Sequence, residues 1–415
     1  MARLRQRLLL ASLLGVLWLA AAQAAEPVRV GFSMALTGGL AGTGKAALLA
    51  TQMWAEDVNA AGGLLGRPLE LVYYDDQSSG ATVPGIYTKL LDIDKVDLIV
   101  SGYATNMVAP AVPIAMQHGM VLMSLFGLAV NAQFHYDRYF QIVPSGDDPE
   151  LEFSRGYLDL AMGMSPPPRT VAIVGADAEF GRVAMAGARE NAVKRGLKIV
   201  YAQSYPPGTV DFAPVIRAIQ ASNPDVVYVA SYPPDSVGLV RAAREQRLKT
   251  RMFGGGMIGL QYAAVKQQLG PLLNGIVYWD VYVPEPTMDF PGIKAFLVRY
   301  QSRAAVAGAD LLGFYTPPYA YARLQVLAQA IAATNSLDQK AIAAYLHEAS
   351  FKTLVGDIRF GPTGEPAEPR ALFVQYRGIA GNDLAQFKEP GRQVILYPPA
   401  LKSGDFAYPF ADAPR

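Results

Sequence analysis

The chain has 415 residues, enough for two or three domains, and its 51% hydrophobic and 17% charged residues exclude general disorder. With 36 Lys and Arg against 35 Asp and Glu, the net charge of +1 gives no reason to expect nucleic acid or an anionic membrane surface as a partner. The sequence has no cysteine and only three scattered histidines, which excludes disulfides and thiolate metal sites, so we expect neither a metal nor another cofactor.

The N-terminal residues have the pattern of a secretion signal. Three arginines precede an apolar run from Leu8 to Ala22, and small residues follow up to Ala24. The run has about 15 residues, fewer than the ~20 that a membrane-spanning helix needs. We therefore predict a signal peptide over residues 1–24, cleaved near Ala24, and a periplasmic protein. The alternative is a retained membrane anchor.

Strands and helices then alternate along the chain, starting with an apolar strand at 28–35 and a glycine-rich turn at 38–44. Further strands are predicted at 69–74, 97–101 and 120–124, and helices at 45–59, 82–91 and 106–118. After Pro144 the pattern restarts, with strands at 170–175, 198–204, 225–230, 252–254 and 275–282, and helices at 149–161, 181–195, 211–221 and 234–246. Two more helices follow at 293–307 and 318–333. This order predicts an α/β fold of two similar lobes, each with a parallel, helix-covered sheet.

The segment from Gly39 to Ala46 nearly matches the phosphate-binding loop, but its last position lacks the hydroxyl that would hold Mg²⁺. An exported protein also has no access to the cytoplasmic ATP pool. We interpret the segment as a glycine turn whose backbone amides face a small ligand, and we place Thr43 in that site.

In open α/β sheets, ligands bind beyond the carboxyl ends of the strands. Thr105 and Asn106 follow the third predicted strand, where free amides and polar side chains suit a carboxylate. The alternative is that they only cap the following helix. Phe180 and Tyr232 take the same position in the second lobe, where they either form an apolar lid over the ligand or pack as ordinary loop residues.

The loop carboxylates have no catalytic partner in the sequence. Asp147 and Asp148 are placed to cap a helix, and neither G-x-S-x-G nor H-E-x-x-H occurs. We therefore predict no catalytic residue, no metal ligand and no enzymatic activity.

Six stretches in the same order resemble the periplasmic solute-binding proteins of ABC importers, specifically the leucine/isoleucine/valine-binding type. They lie at 30–44, 59–76, 179–181, 205–212, 224–228 and 361–364. The second contains both Asn59-Ala-Ala-Gly-Gly63 and Tyr74-Asp75-Asp76, the third is Glu179-Phe180-Gly181 and the last is Gly361-Pro362-Thr363-Gly364. Together they run across residues 28–364.

The resemblance implies a type I periplasmic binding protein clamp, in which two Rossmann-like lobes are joined by three crossovers and close over a ligand. The implied first lobe comprises residues 25–145 and 283–355, and the second 146–282 and 356–385. A proline-rich tail at 386–415 is expected to cover the surface. The implied partner is a membrane permease, and we expect a monomer.

In this family the ligand carboxylate meets the loops after the third and fourth strands, which correspond here to residues 104–106 and 124–128. Phe126 and Leu128 align where the amino-acid binders carry a small residue and a threonine. An acid usually meets the ligand ammonium, and its position falls at Gly256, with no acid nearby. The predicted site residues are Thr43, Tyr103, Ala104, Thr105, Asn106, Ser124, Phe126, Leu128, Phe180, Tyr232 and Gly256.

Burying an ammonium without a partner is costly, so an α-amino acid fits only if Asp76, Glu179 or another acid replaces the missing one. We expect a small amphipathic organic acid or amide, aromatic ligands included, with an amino acid kept as an alternative. Two other functions remain open: a periplasmic ligand-sensing subunit of a receptor or regulator, and, less favoured, an exported α/β enzyme.

Overall fold

The computed structural model describes residues 26–407 and 409–414, so the predicted signal peptide lies outside the described residues. The strands are β1 (Val28–Met34), β2 (Leu69–Asp75), β3 (Leu98–Tyr103), β4 (Leu122–Leu125), β5 (Tyr139–Gln141), β6 (Thr170–Ala176), β7 (Lys198–Tyr205), β8 (Val226–Ser231), β9 (Met252–Met257), β10 (Val277–Asp280), β11 (Ser350–Thr353), β12 (Gly356–Arg359), β13 (Leu372–Tyr376) and β14 (Gln393–Tyr397).

The α-helices are α1 (Ala41–Ala60), α2 (Val83–Thr88), α3 (Thr105–Val108), α4 (Val112–His118), α5 (Val130–Phe134), α6 (Pro149–Met162), α7 (Glu179–Lys194), α8 (Ala213–Ala221), α9 (Pro233–Glu245), α10 (Ala263–Leu269), α11 (Ile293–Ala304), α12 (Thr316–Thr334) and α13 (Gln339–Glu348). Among the described residues, none of these helices combines the length and the apolar character that crossing a membrane requires.

The first lobe is built on a five-stranded, all-parallel sheet with the order β2-β1-β3-β4-β5. Its central strands β1 and β3 are almost entirely buried, which is expected of a parallel sheet with helices on both faces. The predicted strands are present, and β5 is an addition. It was missed because it is only three residues long and follows the charged pair Asp137 and Arg138.

The second lobe has a seven-stranded sheet with the order β14-β13-β10-β9-β8-β6-β7. The strands from β10 to β7 are parallel, whereas β13 and β14 add an antiparallel edge. The C-terminal segment is therefore not only a surface cover as predicted, since β14 is buried at Val394, Ile395 and Leu396. Pro390 and Pro398 bound this strand rather than interrupt it.

The chain passes between the two sheets three times, through residues 142–148, 281–292 and 360–371. The third crossing begins later than the predicted boundary at 355, because β12 pairs with β11 beside the helices of the first lobe. Within that lobe, α11 is tied to α1 by the ion pairs of Arg299 with Asp57 and Arg303 with Glu56.

In each lobe a glycine determines how closely one helix approaches the strand before it. Helix α1 begins at Ala41, not at residue 45 as predicted, so Gly44 lies in its first turns. A Cβ at Gly44 would sit 1.8 Å from the carbonyl oxygen of Ala35. Gly181 has the same role in the second lobe. A Cβ at Gly181 would sit 2.1 Å from the carbonyl oxygen of Ala176. These glycines serve strand–helix packing.

Candidate ligand cleft between the lobes

The strand ends of the two lobes face each other across one cavity. Its lining comes from both lobes. The second lobe contributes Phe153, Phe180, Tyr232, Ile258 and Trp279. The first-lobe strand ends, the first crossing and the residue before α12 contribute the rest, which are Tyr103, Ala104, Thr105, Phe126, Gly127, Leu128, Gln141, Val143, Ser145 and Tyr315. None of these lining residues is charged. The cavity is therefore mostly apolar with a few polar side chains, which is typical of a small-molecule site.

Phe126 is the centre of the aromatic wall. It follows β4 with φ at 64°, a left-handed conformation that is uncommon for a bulky residue and that turns the ring into the cleft. Its ring centroid lies 4.6 Å from that of Tyr315, 5.8 Å from Tyr319 and 6.3 Å from Trp279. This packing of ring on ring holds the strained backbone in place.

The second lobe continues the aromatic wall. Phe153 stacks obliquely on Trp279 at 4.7 Å between centroids and meets Phe180 edge-on at 5.4 Å. Phe180 in turn contacts Tyr232 at 5.6 Å. The ligand space is thus bordered by rings from both lobes, which favours a ligand with a flat or bulky apolar body.

Several hydrogen bonds cross from one lobe to the other, and two of them lie close to the cavity. The hydroxyl of Tyr232, just before α9, donates to Oδ1 of Asn106 in α3 at 2.8 Å. The hydroxyls of Tyr103 and Tyr262 are 2.9 Å apart and share a hydrogen bond. Burial raises the pKa of Tyr232 and Tyr262, so both hydroxyls stay protonated at neutral pH. The described structure is therefore a closed one.

The model of the periplasmic binding protein family matches residues 27–382. This chain belongs to that family. A curated relative, the leucine-, isoleucine-, valine-, threonine- and alanine-binding protein of Pseudomonas aeruginosa, is 23% identical over 358 residues, covering 82% of this chain and 88% of the relative.

Solved periplasmic binding proteins share the fold. A branched-chain amino acid transporter substrate-binding protein from Streptococcus pneumoniae, in complex with isoleucine, has a TM-score of 0.73 at 18% identity, covering 90% of this chain and all of that one. A solute-binding protein of an ABC transporter from R. palustris, in complex with benzoate, has a TM-score of 0.73 at 17% identity, covering 89% and 95%. The predicted family and fold class are confirmed.

Most of the predicted site residues line the cavity of this periplasmic binding protein: Tyr103, Ala104, Thr105, Phe126, Leu128, Phe180 and Tyr232. Asn106 lies beside them as the acceptor for Tyr232. Ser124 lies behind the wall, where its Oγ accepts a hydrogen bond from Tyr139. Thr43 lines a separate pocket, with Tyr262. That any of these residues touches a ligand remains a prediction.

Gly256 lies beneath the cavity, and the structure explains why no acid projects from it. A Cβ at this position would be 2.8 Å from Cε1 of Phe153 and 3.0 Å from the hydroxyl of Tyr228. The Phe153 ring thus fills the space above the position that the family resemblance assigns to an acid. An aromatic contact takes the place of a carboxylate.

The acids proposed as substitutes do not line the cavity either. Asp76 is buried in the first lobe, where Ser33 donates to it at 3.2 Å and burial raises its pKa to about 6. Glu179 is at the start of α7, and burial raises its pKa above the ordinary value.

The sequence analysis missed Glu365, which lies directly behind the wall. Only 2% of the residue is exposed, and its Oε2 accepts a hydrogen bond from the lining residue Ser145 at 3.0 Å. Burial raises the pKa of Glu365 to about 8, and the nearby Asp147 adds to this. The carboxyl is therefore mostly neutral at pH 7. Its position right after the Gly361–Gly364 turn is the signal that could have identified it.

Several of the missed lining residues lie outside the loops to which the strand-end rule points. Gln141 ends β5, and its amide donates to the carbonyl of Gly127 at 2.6 Å and accepts from the amide of Ile142 at 2.9 Å. Trp279 and Tyr315 lie at the end of β10 and just before α12. Gln141, Trp279 and Tyr315 do not follow a strand whose C-terminal loop was predicted to bind the ligand. The rule that ligands bind beyond the ends of strands therefore does not select them.

Proposed function

We propose that this protein is the ligand-capturing component of an ABC importer of the branched-chain amino acid type. It works in the periplasm, closes its two lobes over a small molecule and passes that molecule unchanged to a membrane permease. The observation that carries this proposal is a cavity enclosed by both lobes, with the hydrogen bond between Tyr232 and Asn106 formed across it. A clamp of this kind is driven by the ligand's preference for the closed state.

The ligand we propose is a small amphipathic organic acid or amide with an aromatic or bulky apolar body. A ligand ammonium would find no carboxylate among the lining residues, and burying it unpaired costs several kcal/mol. Solved relatives of this fold have been captured with isoleucine and with benzoate. The cavity of this chain, lined by rings and without an acid to pair with an ammonium, favours the second kind of ligand.

A thermal-shift experiment on mature protein, denatured and refolded to remove carried-over ligand, tests the proposal. We expect benzoate or benzamide to raise the melting temperature and leucine and valine to leave it unchanged. A ligand at 100 times its Kd adds about 2.7 kcal/mol to the free energy of unfolding. Recovery of the compound unaltered is expected of a binding protein, whereas turnover would indicate an enzyme.

Two matched variants localise the site. Phe180→Leu trims a lining ring and should reduce the shift, whereas Phe212→Leu trims a buried ring that packs on Tyr205 away from the cavity and should preserve it. A shift with leucine alone would overturn the proposed ligand class but keep the importer. No shift with any organic acid, amide or amino acid would count against ligand capture itself.

A further inference from the structure

One residue that lines the cavity has a polar atom without a partner. Trp279 is 2% exposed, and its indole Nε1 is buried without a hydrogen-bond acceptor. Of all the cavity's lining residues, each of them within the described part of the chain, only Trp279 has a buried side-chain nitrogen or oxygen in this condition. Buried tryptophan N–H groups usually find a partner, because a buried donor without a hydrogen bond keeps its full desolvation penalty.

The ring of Trp279 is held firmly. Its backbone pairs with Phe373 in β13, and its carbonyl accepts a hydrogen bond from the amide of Gln261 at 2.5 Å. The indole packs on Phe153 and meets Phe126 and Tyr315 almost perpendicularly. A donor held in this way loses little freedom when it meets a ligand, which lowers the entropic cost of binding.

The neighbouring polar groups are already engaged. The Tyr232 hydroxyl donates to Asn106, and the Gln141 amide is used by Gly127 on one side and by Ile142 on the other. Tyr103 shares its hydrogen bond with Tyr262. Among the buried side-chain nitrogens and oxygens of the described lining residues, the indole N–H is the one that has no partner.

We propose that Trp279 donates its indole N–H to an oxygen of the bound ligand and so selects ligands that carry a carboxylate or amide oxygen on an aromatic body. This inference rests on the proposed function and names a specificity-determining residue within it. An oxygen acceptor is common to acids and amides, and an amide satisfies the donor without bringing a charge into an uncharged cavity.

The test compares mature wild-type protein with Trp279→Phe, which keeps a ring but removes the donor. We expect Trp279→Phe to weaken the binding of benzamide and benzoate about tenfold in calorimetric titrations. Aniline, which has the ring but no oxygen, should bind both proteins with equal affinity. The control Trp54→Phe changes a buried tryptophan in α1, away from the cavity, and should keep the wild-type affinity.

A second measurement avoids the risk that Trp279→Phe fails to fold. Trp54 and Trp279 are the tryptophans of the mature chain, so Trp54→Phe leaves Trp279 as the single reporter. Added benzamide should move its indole N–H proton resonance downfield, as a new hydrogen bond requires.

The outcomes separate this inference from the proposed function. Binding of benzamide by wild type with an unmoved indole resonance, or with unchanged affinity in a folded Trp279→Phe protein, would overturn the role of Trp279 and leave the proposed function intact. Failure of wild type to bind either oxygen-bearing probe would overturn the proposed ligand class and this inference with it.

Discussion

Glu365→Gln is expected to stabilise the protein by roughly 3–5 kcal/mol at pH 9 and to change its stability little at pH 5. Burial raises the pKa of Glu365 from 4.5 to about 8, so the folded protein keeps this carboxyl protonated where the unfolded chain does not. The folded state then binds the extra proton, and the free energy of unfolding falls as the pH rises from about 4.5 to about 8. Glutamine has a similar shape and cannot ionise, which removes this loss.

Comparing wild type with Glu365→Gln separates the effect of Glu365 on stability from the effects of the other buried acids. Burial also raises the pKa of Asp280 to about 7 and that of Asp76 to about 6, and both act equally in wild type and variant. Glu368→Gln is the matched control, because Glu368 is exposed in the same crossing. Urea denaturation at pH 5, 7 and 9 would measure the effect; a difference that does not grow with pH would show that Glu365 is charged in the folded protein.

Gly44→Ala is expected to lower the free energy of unfolding by about 3 kcal/mol. The added methyl group would lie 1.8 Å from the carbonyl oxygen of Ala35. Neither atom can turn aside as the end of a flexible side chain could, because one is a backbone oxygen and the other is bonded to a backbone Cα. Helix α1 must therefore move away from β1. Thermal or urea denaturation would measure the loss.

Gly42→Ala provides the opposite expectation in the same turn of the same helix. A Cβ at Gly42 meets nothing within 4 Å, and alanine favours the helix, so this variant should gain about 0.5–1 kcal/mol. If the two substitutions changed the free energy of unfolding equally, the assignment of Gly44 to strand–helix packing would be contradicted. A ligand-binding role for the glycine turn would then have to be considered again.

Alternation of apolar strands with amphipathic helices made the two lobes predictable, because each buried parallel strand is a short apolar run between turn residues. Features that depend on pairing between distant parts of the chain were not predicted. The strand β14 stands in a proline-rich context, and its partner β13 is recognisable only in three dimensions. The helix predicted at 106–118 is instead divided at a 3₁₀ turn, Ala109–Ala111, where Pro110 and Pro113 interrupt the α-helical hydrogen bonds.

The candidate site was predictable where it follows the strand-end rule, as at Thr105 and Tyr232. It was not predictable where the lining residue lies in a crossing, as at Ser145, or within a strand, as at Trp279. Gly256 shows the difference between the two sources of information. The sequence reveals that an acid is missing, but only the structure reveals that the Phe153 ring fills the space.

The central claim is that two lobes close over an ammonium-free ligand, and small-angle scattering tests it most directly. Mature protein that has been denatured and refolded would be measured with and without saturating benzoate. We expect the radius of gyration to fall on addition of benzoate, to the value of the closed structure described above, and L-leucine to leave it unchanged. Compaction with leucine and none with benzoate would contradict the account.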